Sequence, residues 1–252
     1  MIEKYQTVKI ENKITFSGSN LNNFFFNPKL FWDRVFGRDL FIETTNTVLG
    51  TVIHYCANQY LTTKQVSSQD IENYLQIVDS SVDRDFIRNH YKDMGNKLFE
   101  WLDSRVFGEF KSELPLQAEV SKYGVLTGTC DLVIGDTLVD FKTTSQLSDN
   151  TKIPMNYIKQ LQAYYYLCHK NDIVINQAKI VYITIPRVGE ISEKTGKLLR
   201  DYPCRIYELL LEREFLDILR IENYLKAIGE QIDFIKENPD KAHLITREGV
   251  EL

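Results

Sequence analysis

The segment GDTLVDFKTTS, residues 135–145, sets Asp140 and Lys142 two apart in a run whose Leu138, Val139 and Phe141 otherwise read as a β-strand. A charge on a half-buried strand is costly to desolvate unless it has a partner. The preceding run VLTGTCDLVI, residues 125–134, supplies one, because Gly135-Asp136 between the two runs is a two-residue loop with Gly first, the signal of a type II′ hairpin. In that register Ile134 pairs with Thr137, Val133 with Leu138 and Leu132 with Val139, so Asp131 falls opposite Asp140 with Cβ atoms about 4.5–5.5 Å apart. Lys142 shares their face, opposite Thr129, while Cys130, Leu132, Val139 and Phe141 form an uncharged face behind.

Two carboxylates held opposite one another repel. Such a pair persists when a cation lies between them or when one stays protonated. A divalent metal meets the first condition: Mg²⁺ takes a few carboxylates and keeps waters for phosphate oxygens. The competing assignment has both acids facing solvent, with Lys142 neutralising Asp140. The acid-x-Lys triplet does not choose between them, since it recurs as Glu11-Asn12-Lys13 and Glu109-Phe110-Lys111.

The flanking elements must position these groups. From about residue 19 to 106 the apolar spacing is helical, in SNLNNFFFNPKLFWDRVF, TNTVLGTVIHYCANQYL and DRDFIRNHYKDMGNKLFEWLDSRV, with Pro28 interrupting the first. From Leu114 the pattern alternates, in LPLQAEVSKYG, VLTGTCDLVI, TLVDFKTTS and, after a helix over about 155–169, QAKIVYITIP. A last helix is predicted from about 212 to 237, stopped by Pro239. The fold class is α/β, a central mixed sheet flanked by helices with a helical N-terminal region. With no repeat or linker, the 252 residues are expected to form one domain: helical over 19–106, sheet core over 114–211, then the C-terminal helix.

Composition narrows the class further. A hydrophobic content of 43% suffices for a sizeable core. The start, MIEKYQTVKIEN, lacks the apolar run of a secretory signal, and no stretch approaches the roughly 18 apolar residues of a membrane span, so a cytoplasmic location is expected. Cys56, Cys130, Cys168 and Cys204 form no C-x-x-C pair, which argues against a zinc site or disulfide framework and for reduced core residues. A net charge of −5 excludes a uniformly basic surface but not a local basic groove.

The runs G-T-C-D-L-V, V-D-F-K-T-T and Q-L-Q-A-Y resemble the core of the PD-(D/E)xK nuclease superfamily, in its RecB-like and phage-exonuclease branch. Gly50-Thr51-Val52-Ile53-His54 resembles that branch's helical G-x-x-x-H. Ser17-Gly18-Ser19-Asn20-Leu21 with Asn27-Pro28 and Phe31 resembles its N-terminal S-x-S-x-L…C-P-x-x-F segment. Each motif is weak alone, and their shared order from Ser17 to about Tyr166 is what makes them specific. The resemblance implies a restriction-endonuclease-like core and a Mg²⁺- or Mn²⁺-dependent deoxyribonuclease, an exonuclease of DNA recombination or repair.

Carried over residue by residue, the resemblance makes Asp131, Asp140 and Lys142 catalytic. It makes His54, Asp131, Asp140 and the backbone carbonyl of Phe141 metal ligands, with Glu119 added for a second ion. Gln160 and Tyr164, four apart on one helix face, would contact the substrate. The implied partner is DNA, with room for a recombination or repair protein and for further copies of the chain. Branch members with an iron–sulfur cluster carry a cysteine before the proline and three near the C-terminus; here Asn27 and a single Cys204 stand instead, so no cluster is expected. The alternatives are a non-catalytic nucleic-acid-binding subunit of the same fold and a restriction-type endonuclease. Arg34, Arg38, Arg88 and Lys92 are candidate backbone contacts or plain solvated charges.

Overall fold

The computed structural model describes residues 12–37, 42–145, 147, 151–189, 191, 195–199 and 201–246; the opening residues 1–11 and Arg38, both considered above, lie outside them. Strand β1 (Ile14–Ser17) leads through a short 3₁₀ turn into α1 (Leu21–Phe26) and α2 (Pro28–Val35). The break falls at Pro28 as expected: Pro28 opens α2, and the Asn27 side chain caps it by accepting from Leu30 N at 3.3 Å. Helix α3 (Thr45–Thr63) begins with a Thr44/Thr47 capping box, and α5 (Arg84–Arg105) with an Asp83 cap. Between them lies α4 (Ser68–Ile77), which sequence reading missed; its Ile71, Tyr74 and Leu75 are buried at helical spacing.

Then follow β2 (Phe110–Glu119), β3 (Gly124–Ile134), β4 (Thr137–Thr144), α6 (Met155–Lys170), β5 (Gln177–Thr184), β6 (Ile206–Leu210), α7 (Ile218–Glu237) and α8 (His243–Thr246). The last long helix starts at Ile218 rather than 212, because Asp217 caps it, accepting from the Leu219 and Arg220 amides. β1 and β6, not read from the sequence, complete a mixed six-stranded sheet in the order β1-β3-β4-β5-β6, with β2 also on β3. Among the described residues, no helix is long and apolar enough to cross a membrane.

The hairpin takes the register expected, Ile134 on Thr137, Val133 on Leu138 and Leu132 on Val139. Gly135 has φ +55°, the positive angle a II′ turn requires at its first position. Beyond Leu132 and Val139 the ladder stops. β2 pairs along nearly all of β3, so β1, on Gly124–Thr127, and β4, on Leu132–Ile134, share the other edge of β3 at opposite ends. Residues 128–131 therefore face a split between β1 and β4.

Two apolar clusters sandwich the sheet. Leu126, Leu161, Ile221 and Ile228 belong to the one beneath α6 and α7. Leu49, Ile53, Leu98, Leu132 and Phe141 belong to the one beneath α3 and α5. Full burial of each such side chain contributes about 1.5–3 kcal/mol.

The expected uncharged face needs one correction: Cys130 packs in the α6/α7 cluster, while Leu132, Val139 and Phe141 pack in the other. β2 switches at the same point. Ser112 bonds to Asn58 of α3 at 2.7 Å, whereas Leu114, Leu116 and Ala118 turn toward α6 and α7. Between the two halves stand Glu113, at φ +47°, and Asp131 beside it. A left-handed residue rotates the pleat, and the strict two-residue alternation is lost there.

Gly128 lies at the split, and a Cβ on it would stand 2.7 Å from Tyr164 Cε1 and 3.0 Å from Leu167 Cδ1. Gly128→Ala is expected to destabilise the fold by about 1–3 kcal/mol through overpacking, although Gly→Ala in an uncrowded strand is usually favourable. Urea denaturation measures this, and a gain in stability would show that α6 is not packed this close to β3.

Candidate active site

Three elements converge on the split. α3 brings His54, β3 brings Asp131, and the left-handed position on β2 brings Glu113. One ligand atom from each lies within 4.8 Å of the others. Asp131 is the hub: its Oδ1 is 3.3 Å from His54 Nδ1, and its Oδ2 accepts from Phe141 N at 2.7 Å. That second bond replaces a rung of the interrupted ladder and satisfies an amide that would otherwise be buried unpaired.

The Phe141 carbonyl, expected as a ligand, faces His54 Nε2 at 3.0 Å. Its ring is buried against Trp101, with centroids 5.9 Å apart, which fixes the backbone. An Nε2–H donated to that carbonyl turns Nδ1 toward Asp131, so Phe141 orients the histidine.

Asp140 is fully buried next to Ile180 of β5. Its Oδ2 is 2.6 Å from Lys142 Nζ, a charge contact without hydrogen-bond angles, and neither carboxylate oxygen is hydrogen-bonded. Lys142 is 17% exposed, with its ammonium 5.1 Å from the Tyr157 ring centroid.

Sequence reading placed Asp131 and Asp140 on one cation. His54, also expected there, and Asp131 lie within ligand reach of Glu113, and Asp140 stands beside them paired to Lys142. Glu119 is not brought to the site. It lies six residues along β2 from Glu113, about 20 Å at strand rise, and pairs with Lys13 at 3.1 Å. The register held the missing signal: Glu119 pairs with Val125, and six steps back along β2 and forward along β3 places Glu113 beside Asp131.

Electrostatics separates the two aspartates. Burial pushes the Asp140 carboxyl up to about 6, with the Asp131 charge adding to this and Lys142 opposing it. Burial would raise Asp131 too, but His54, Lys142 and the Phe141 amide hold it below the usual carboxylate range. Burial acts to lower His54, yet the charge of Asp131 and its hydrogen bond prevail and carry it to about 9. Lys142 is likewise raised, as Asp140 and Asp131 outweigh its burial. The site thus favours positive charge.

Gln160 and Tyr164 reach the same place from α6. Gln160 Nε2 donates to Tyr164 OH at 2.8 Å, and the Tyr164 ring lies over Gly18 and Gly128 at the split. Burial and the charges of Asp140 and Asp131 push its phenol well above the ordinary value.

The donor set fits a hard divalent ion. Two carboxylates and an imidazole suit such a cation. The 3.3 Å between His54 and Asp131 is close to the roughly 3 Å that separates adjacent ligands about one octahedral ion with 2.0–2.1 Å bonds. The bare oxygens of Asp140 are what a cation or its waters would satisfy.

No family model matches this sequence, and no curated protein does either. Among solved structures, the chain is similar to a candidate exonuclease from Eubacterium rectale, with a TM-score of 0.58 at 13% identity over 90% of this chain and 83% of that one. It also aligns with LHK-Exo in complex with dAMP, at a TM-score of 0.33 and 16% identity over 79% of this chain and 97% of that one. The first likeness shows a shared α/β fold.

Proposed function

We propose that the chain is a metal-dependent deoxyribonuclease of the PD-(D/E)xK type, hydrolysing DNA phosphodiesters from strand ends in recombination or repair. The observation that carries it is the meeting of His54, Glu113 and Asp131 at a break in the sheet, beside the buried Asp140–Lys142 pair. A bare binding module has no use for two carboxylates and an imidazole whose ligand atoms lie within 4.8 Å of one another.

Asp131, Glu113 and His54 would hold Mg²⁺ or Mn²⁺, with Asp140 taking a further position or a bound water. Such an ion acidifies water and polarises a phosphoryl oxygen. Lys142 has the rest of the work. Its ammonium, fixed by Asp140 and Asp131, orients the attacking water and offsets the negative charge that builds on the phosphoryl oxygens. Gln160 and Tyr164 present an amide and a hydroxyl to the phosphate from the α6 side.

The test uses end-labelled linear, nicked and closed circular DNA with Mg²⁺ or Mn²⁺. Linear DNA is expected to be degraded and closed circles spared, with all cleavage lost on chelation. Absence of cleavage under every metal would refute the enzyme, and cutting of closed circles would move it to the endonucleases.

A further inference from the structure

Lys159 lies on α6 away from Gln160 and Tyr164. Its ammonium sits between two rings, 4.7 Å from the Phe25 centroid and 4.3 Å from that of Tyr224, and these rings meet edge-on at 5.6 Å. Burial and the neighbouring Arg220 guanidinium both push its pKa down. Among the described residues, neither Lys159 nor Arg220 has an acidic partner, whereas Lys142, Lys170 and Lys179 are paired with Asp140, Glu222 and Glu208. Two neighbouring cations whose side chains make no ion pair, in a chain of net charge −5, repel one another, a repulsion that an anion would relieve.

One turn back along α6, Met155 and Asn156 line an open cleft of about 460 Å³ with Asn22 and Phe26. Phe26 is 68% exposed, Met155 46% and Phe25 42%, and Asn22 Oδ1 is buried without a partner. Tyr157, next on the helix, leans on the Lys142 ammonium, so the cleft opens within about one helical turn of the reacting centre.

We infer that this surface is a strand-binding subsite, in which Lys159 and Arg220 hold phosphates of one nucleic-acid strand while Phe25, Phe26 and Met155 carry its bases. It rests on the nuclease reading above and adds the route of the strand. Cations beside exposed aromatic faces are the arrangement that binds single strands with little regard to sequence, since every base offers a π-face.

The test is fluorescence anisotropy of a labelled single-stranded oligodeoxynucleotide, with metal chelated so that nothing is cut, over a series of salt concentrations. For Lys159→Gln/Arg220→Gln the slope of log affinity against log salt is expected to flatten by about 1.4, about 0.7 per lost phosphate contact, with affinity tens of fold weaker at low salt. Arg220→Gln alone, at an exposed position, is expected to give half that change and covers the case in which the double variant misfolds. Wild-type affinity and slope in both variants, in a protein that binds and cuts DNA, would remove this subsite alone. A wild-type protein that neither binds nor cuts would remove the nuclease reading with it.

Discussion

Glu113→Gln is expected to weaken divalent-metal binding by at least 10–100-fold, the loss usual for groups one shell further from a metal, and to lower DNA cleavage at least in proportion. Glu119→Gln should change neither. The two glutamates share a strand, so composition and helix-or-strand propensity do not separate them. Their surroundings do. Glu113 sits at a left-handed kink within reach of His54 and Asp131, while Glu119 is 71% exposed and held by Lys13. Gln keeps the shape of Glu113 while removing its charge and turning one acceptor oxygen into a donor amide, so folding should survive. Calorimetric titration with Mn²⁺ and a cleavage assay on the same preparations decide the matter. Equal metal affinity in wild type and Glu113→Gln would remove Glu113 from the site, and a defect in Glu119→Gln would restore the assignment made from sequence.

Lys142→Met should reduce cleavage by on the order of 10²–10³-fold, the usual loss for one preorganised charge-stabilising group. It should also destabilise the metal-free protein. Removing one partner of a buried ion pair costs about 3–5 kcal/mol, and the lower end applies because Lys142 is 17% exposed while Asp140 can take up a proton. The informative part is the response to metal. A cation bound beside Asp140 replaces the missing positive charge, so saturating Mn²⁺ should raise the melting temperature of the variant more than that of the wild type. Thermal melts with and without metal, beside rate measurements, test both parts. Wild-type cleavage by the variant would refute the catalytic role. Destabilisation indifferent to metal would show that no ion binds near Asp140.

The strands and helices nearest the site were legible because their signals are local. The hairpin at residues 125–144 announced itself through Gly135-Asp136 and two alternating runs, and its register followed from counting. The helix with Gln160 and Tyr164 and the long helices at 45–63 and 84–105 were readable from their apolar spacing. The short β1 and β6 were not, because a few residues carry too little periodicity and are held by partners distant in sequence, whereas α4 was missed although Ile71, Tyr74 and Leu75 carry helical spacing.

What the chain specified by itself was chemistry and order: two aspartates and a lysine on a hairpin, a histidine on a helix, and a glutamine and tyrosine on another. The tertiary structure decided which of these meet. It split one edge of β3 between β1 and β4, turned the pleat at Glu113 and thereby drew that glutamate to His54 and Asp131. Alternation along a strand is a local rule and can be counted from sequence, whereas a kink depends on strands and helices that pack only once the chain has folded.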